Sequence, residues 1–160
     1  MLCAPLPART QPAQSPPRVG YLNVTGIPTT FGDAFRKGLR DLGWKDGDNV
    51  VLDHRVVDPA RVPEVAAEMV SRGLDVVVVS ATAIHGARAA MARVPTVFVT
   101  ADDPVRAGYA ASLARPGGRM TGLTSLNVDL DAKRLEILKM ALPGVTRVGI
   151  LATPADPMTR

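Results

Sequence analysis

The 160-residue chain is long enough for one α/β domain, and a hydrophobic fraction of 46% can supply a core, so extensive disorder is not expected. The net charge of +4 arises from 19 basic and 15 acidic residues, and only 4% of residues are aromatic, so the composition does not indicate nucleic-acid binding. The single cysteine, Cys3, permits neither an internal disulfide nor a cysteine-based metal cluster.

Residues 1–17 are rich in proline, glutamine and small side chains, and they contain no apolar run of the length that a secretory signal needs. We interpret this stretch as a disordered tail or the remnant of an export signal. Cys3 suggests a lipid-modified cysteine, but only two residues precede it, which disfavours that interpretation. No segment approaches the roughly 20 apolar residues of a membrane span.

The rest of the chain alternates short apolar runs with amphipathic segments, a pattern typical of a parallel sheet wrapped by helices. In chain order it predicts strand 18–24, helix 31–42, strand 49–57, helix 63–72, strand 75–80, helix 83–93, strand 96–101, helix 109–115, strand 120–126, helix 131–142 and strand 147–153. The run DVVVVS is apolar on both faces, as expected for a central parallel strand. The predicted fold class is α/β, a doubly wound parallel sheet in three layers.

Two similar strand openings, RVGYL and RVGIL, lie far apart in the chain and suggest a second α/β unit that begins at the later one. One strand and one helix cannot bury their apolar faces alone. We therefore expect residues 18–126 to form a first ligand-binding lobe and residues 127–160 to be the start of an incomplete second lobe.

Ligands of open parallel sheets bind beyond the carboxyl ends of the strands. In the predicted fold, the loops to consider are therefore those after the first, third and fourth strands. These loops carry hydroxyls, backbone amides at helix starts and carboxylates, namely Thr25, Thr29 and Thr30, then Ser80, Thr82 and Ala83, then Thr100, Asp102 and Asp103. Such groups suit the polar head of a small ligand. Each residue taken alone is more often a helix cap or a turn residue, so only their shared edge favours a site.

Motifs of enzymes are not found in the sequence. The glycine-rich phosphate loop and the dinucleotide fingerprint are both missing. A phospho-acceptor domain is expected to carry acids after its first strand and an aspartate after its third, where this chain has NVTG and SAT. Ser80, His85 and Asp103 contain the groups of a hydrolase, but no GxSxG elbow surrounds Ser80, and His85 is expected to be an ordinary surface or packing residue. We predict no catalytic residue.

Metal and cofactor sites are likewise not predicted. Asn127, Asp129 and Asp131 hint at a calcium loop, but the required glycine and glutamate are replaced, so this stretch is interpreted as a helix start. His54 has no second histidine at ligand spacing.

The segments AFRKGLRDLGWKDGDNVVLDHR, DVVVVSATA, PTVFVTADDPVRAGYAASLARPGGRMTGLTS and KRLEILKMALPGVTRVGIL, together with RVGYL, cover nearly all of residues 18–151. In this combination the chain resembles ABC transporter substrate-binding proteins, of the type I periplasmic binding fold, in the family with aromatic amino-acid-binding members. The resemblance implies two lobes that close on a small solute in the periplasm, and an ABC permease in the inner membrane that receives it.

By motif position, the resemblance implies that the ligand-facing residues are Thr29, Thr30, Ala81, Thr82, Ala83, Thr100, Asp102 and Asp103. The two acids favour an amino group on the solute. One lobe alone is expected to bind its solute weakly or not at all, because closure of two lobes buries most of such a ligand. The chain departs from the family pattern at Ala83, where proline is usual. It also departs at Arg119 and Met120, where the family usually has asparagine and a β-branched residue. Two alternatives remain: the effector-sensing domain of a transcription regulator, and a truncated, non-functional fragment.

Overall fold

Five parallel strands form one sheet in the computed structural model, which describes residues 15–26, 28–80, 83–126 and 130–149. The strands are β1 (Arg18–Val24), β2 (Val51–Val57), β3 (Val76–Ser80), β4 (Thr96–Thr100) and β5 (Met120–Thr124). Their order across the sheet is β2-β1-β3-β4-β5, and each neighbouring pair is parallel. The helices are α1 (Thr30–Asp41), α2 (Val62–Ser71), α3 (Ala83–Met91) and α4 (Asp131–Ala141). The predicted α/β class is confirmed.

The main hydrophobic core lies between the sheet and helices α2 and α3. Register places Leu22 of β1 beside Val79 of β3, and Val79 beside Phe98 of β4. All three side chains are buried in the same cluster as Met69 of α2 and Ile84 of α3. Burial of each such side chain contributes roughly 1.5–3 kcal/mol, which fixes the strands and both helices relative to one another.

Helix α1 covers the opposite face, but only near β1 and β2. Tyr21 of β1 stacks on Phe35 of α1 with ring centroids 4.9 Å apart, and His54 of β2 meets Tyr21 edge-on at 4.8 Å. Farther along the same face, Val99 of β4 and Leu123 of β5 lie side by side in register and are 42% and 70% exposed. The described elements therefore leave the β4–β5 part of this face open.

One predicted element is wrong, and a second is contradicted over the three of its residues that the structure describes. Residues 109–115 are not helical: the amides of Tyr109 and Ala110 both donate to the carbonyl of Pro104, at 2.8 and 3.1 Å, which closes a turn. The ring of Tyr109 is buried against Phe98, with centroids 5.8 Å apart, so tertiary packing overrides the local apolar periodicity. Of the strand predicted at 147–153, residues 147–149 lie outside any strand, and residues 150–153 lie outside the described part of the chain.

The ends of the chain are described only in part. Of the predicted tail at 1–17, residues 1–14 lie outside the described residues. Helix α4 is exposed along its whole length, and Met140 is 79% exposed. Among the described helices, none combines the length and apolar character that crossing a bilayer requires.

Candidate functional site

The loops selected from the sequence meet at one edge of the sheet, because parallel strands all present their carboxyl ends on the same side. Thr29 and Thr30 lie at the start of α1, and Ala83 begins α3. Thr100 ends β4, and Asp102 and Asp103 follow it. The predicted residues Ala81 and Thr82 lie outside the described residues.

The first loop presents exposed hydroxyls. Thr29 and Thr30 are both exposed, and the side chain of Thr29 makes no capping hydrogen bond to α1. Thr25 is engaged differently, because its hydroxyl donates to Asp58 at 2.9 Å and thereby ties the ends of β1 and β2 together. Ala83 is fully buried in the core, and neither its side chain nor its backbone is exposed.

Asp102 is held at three points. The hydroxyl of Thr100 donates to Oδ2 of Asp102 at 3.2 Å and accepts from the backbone amide of Asp102 at 3.1 Å. The hydroxyl of Thr124, in the neighbouring strand β5, donates to the backbone carbonyl of Asp102 at 2.6 Å. The Asp102 side chain is 17% exposed, so this carboxylate is anchored and still reached by solvent.

Asp103 plays a different local role from its neighbour. Its Oδ1 accepts hydrogen bonds from the backbone amides of Val105 at 2.8 Å and Arg106 at 3.3 Å. This is the geometry of an aspartate that starts a turn. The structure therefore gives Asp103 a role in shaping the loop, whereas Oδ1 of Asp102 accepts no hydrogen bond from a described residue.

His85 connects this loop to the core, a role that the sequence did not reveal. Its Nε2 lies 3.3 Å from Oδ2 of Asp102, and its Nδ1 lies 2.9 Å from the hydroxyl of Tyr109. Burial raises the pKa of Tyr109, and the negative charge of the nearby Asp102 raises it further. The Arg88 guanidinium, which lies 5.8 Å from the ring centroid, lowers this pKa but does not cancel the rise. Tyr109 is thus a neutral phenol at physiological pH. These three residues come from separate segments, so no local motif marks them.

The hollow at this site is small and polar. It has a volume of about 160 Å³ and is lined by His85, Asp102, Asp103, Arg106 and Ala107. Larger hollows of about 420 and 560 Å³ lie at the other edge of the sheet, near the amino ends of β4 and β5, around Gly117, Gly118 and Arg119. We favour the smaller one, because ligand recognition depends on polar groups that converge, and the carboxylates lie there.

Ser80 provides a further polar atom at the end of β3. It is 8% exposed, and its hydroxyl has no hydrogen-bond partner among the described residues. His85 is hydrogen-bonded to Tyr109, and no hydrogen bond joins Ser80 to His85 among the described residues, so the nucleophile and base of a hydrolase are not paired there. Within the described part of the chain, no group of three or more His, Cys, Asp or Glu side chains is placed to hold a metal ion.

Comparison with known proteins identifies the family. Residues 29–159 match the family model described as ABC transporter substrate binding protein. The chain belongs to this family. The resemblance inferred from the sequence motifs is therefore confirmed, and the family is one of binding proteins.

Relatives of this ABC substrate-binding chain agree in sequence and in fold. A tyrosine-binding protein of Clostridioides difficile (strain R20291) is 33% identical over 125 residues, which are 76% of this chain and 36% of that protein. A crystal structure of a conserved domain protein from Vibrio cholerae O1 biovar eltor superposes with a TM-score of 0.72 at 27% identity. A domain from Streptococcus pneumonia in complex with L-Trp superposes with a TM-score of 0.67 at 26% identity.

These relatives are longer than this chain. Both structural matches cover 91% of it but only 50% of the chain to which it is compared. The chain thus spans between about a third and a half of the length of the family members that it matches.

Proposed function

We propose that this chain forms one wall of the solute cleft of an ABC importer's substrate-binding protein, and that the cleft takes an amino acid. The observation that carries the proposal is Asp102, an anchored and solvent-reached carboxylate at the carboxyl edge of the sheet. The class of solute is supported by the relatives, since one is a tyrosine-binding protein and another was solved with L-Trp.

The chemistry of the edge suits an amino acid. The Oδ1 atom of Asp102 accepts no hydrogen bond from a described residue, so it is available to the ammonium group of a solute. A charge-assisted hydrogen bond of this kind is about twice as strong as a neutral one. The buried hydroxyl of Ser80 and the exposed hydroxyls of Thr29 and Thr30 line the same edge and supply further polar contacts.

The wider setting follows from the family. In this proposal residues 18–126 are the first lobe, and residues from 127 onward lead into a second lobe that closes over the solute. The solute is then released to an ABC permease in the inner membrane, which places the protein in the periplasm. Neither nucleic acid nor a cofactor takes part, and the chain is a binding protein without catalytic activity.

The proposal is tested by titrating the chain with L-tryptophan and following backbone amide signals by NMR, which detects millimolar binding. Asp102→Asn removes the negative charge, and we expect it to weaken binding about tenfold, the equivalent of about 1.4 kcal/mol. Asp48→Asn is the matched control, because it removes the same charge from the exposed turn before β2, at the opposite edge of the sheet, and binding should change little. Equal affinity of Asp102→Asn and wild type, or no binding by the wild type, would contradict the proposal.

A further inference from the structure

Three exposed arginines lie at the amino edge of the sheet, on the side away from the candidate carboxylate. Arg93 follows α3 just before β4, and Arg115 and Arg119 lie in the segment that leads into β5. The backbone amide of Thr96, the first residue of β4, donates to the carbonyl of Arg119 at 2.8 Å. This hydrogen bond places the chain before β5 next to the chain that connects α3 to β4.

The positive charge of these arginines is not paired within the described part of the chain. None of the three forms an ion pair with a described residue. Between residues 76 and 128 the sequence has only two acids, Asp102 and Asp103, and both lie at the carboxyl edge. Asp75, which precedes β3, accepts from the backbone amide of Arg18 at 2.7 Å. A positive potential therefore remains beside β4 and β5, and it attracts anions.

The backbone before β5 offers further donors to an anion. Gly117 and Gly118 have positive φ angles of 69° and 60°, a conformation that glycine adopts readily. The amides of Gly117, Gly118 and Arg119 donate to no residue that the structure describes. Successive backbone amides in a turn form concavities that bind anions, and an arginine beside them adds the planar pair of donors that suits phosphate.

Open space lies beside this segment. Residues 116–120 line two hollows, of about 420 and 560 Å³, and Ala92 lines the larger one. Arg119 is among the lining residues of both, whereas Arg93 directly follows Ala92 and Arg115 directly precedes residue 116. Each hollow leaves room for a phosphate group and for part of the molecule that carries it.

We propose that residues 117–119, together with Arg93 and Arg115, form a binding site for a phosphate or phosphodiester group at the amino edge of the sheet. The site lies at the opposite end of the strands from Asp102, so it does not depend on the proposed function. The phosphate group belongs either to a free small molecule or to the headgroup of an anionic phospholipid, and the same donors serve both.

Titration with inorganic phosphate at constant ionic strength tests the site by NMR. The amides of Gly117, Gly118 and Arg119 should shift most, and Arg119→Gln should lower the affinity about threefold to tenfold, because one charged donor is lost. Arg40→Gln is the matched control. Arg40 is an exposed arginine in the last turn of α1, without a described ion pair, and its helix lies near β1 and β2 at the other side of the sheet. Its loss should leave the affinity unchanged, and melting temperatures check that both variants fold.

Sedimentation with lipid vesicles identifies the source of the phosphate group. If the source is a lipid, vesicles of phosphatidylglycerol should carry down the wild-type chain and less of Arg119→Gln, whereas vesicles of the uncharged phosphatidylcholine should carry down little of either. Binding of free phosphate without binding to vesicles assigns the site to a soluble ligand. The proposal is overturned if neither inorganic phosphate nor phosphatidylglycerol binds, or if Arg119→Gln and Arg40→Gln bind equally well. Neither result bears on L-tryptophan, whose binding is read at the carboxyl edge.

Discussion

The hydroxyl of Thr124 in β5 donates a 2.6 Å hydrogen bond to the backbone carbonyl of Asp102, and so joins the loop after β4 to the neighbouring strand. The same hydroxyl accepts from the amide of Leu126 at 3.1 Å. One side chain at the end of β5 therefore fixes the position of the candidate carboxylate and the direction in which the chain leaves the sheet.

Replacement of Thr124 tests this arrangement. Thr124→Val keeps the shape of the side chain but removes both hydrogen bonds, and we expect a loss of about 1–2 kcal/mol in the free energy of unfolding. The amides after β4 should exchange faster with solvent, because their loop loses its tie to β5. Thr124→Ser keeps the hydroxyl and should show slower exchange than the valine variant. Identical exchange in the two variants would refute the role of this hydroxyl.

The environment of His54 lowers its pKa, and from this we predict that the stability of the fold depends on pH. Its Nδ1 lies 2.6 Å from the Arg36 guanidinium, which can only donate, and its buried Nε2 has no partner among the described residues. Burial, and then the charge of Arg36, lower the pKa of His54, and Asp33 opposes them weakly. The unfolded chain therefore takes up a proton at this residue more readily than the folded chain does.

Stability should consequently fall as the pH drops through the unfolded value of about 6.5, until the lower folded pKa is passed. Urea unfolding at about pH 7.5 and about pH 5.5 measures this change, in a range above the titration of ordinary carboxyl groups. His54→Gln removes the titrating group and should flatten the profile between these two conditions. An equally steep profile in that variant would assign the effect to other residues.

Close packing of β5 on β4 requires a glycine at position 122. A Cβ at Gly122 would overlap the backbone carbonyl oxygen of Phe98 and would lie 2.5 Å from Cδ2 of its ring. Gly122→Ala should therefore destabilise the fold by about 1–3 kcal/mol, as overpacking does elsewhere. Gly38, in the exposed middle of α1, has open space around it, and Gly38→Ala should stabilise by about 0.5–1 kcal/mol. Thermal unfolding of both variants checks the signs, and a Gly122→Ala variant as stable as wild type would contradict this packing.

The sheet could be predicted from the sequence because its signals are local. The apolar run of β3 and the helix pattern from residue 31 each lie within one element, and the structure places strands and helices there. The segment at 109–115 was predicted wrongly because the burial of Tyr109 against Phe98 depends on packing between distant segments. The sequence also missed His85, whose partners Asp102 and Tyr109 are brought to it only by the fold. The edge of the candidate site was thus predictable, but the contacts that orient its carboxylate were not.

The most direct test of the account is a map of backbone amide shifts in the 160-residue chain on addition of millimolar L-tryptophan. The account predicts that the changes concentrate at the carboxyl edge of the sheet, at Ser80, Thr100, Asp102 and Asp103. Changes concentrated instead around Gly117, Gly118 and Arg119, beside the larger hollows at the opposite edge, would contradict it, as would the absence of any change.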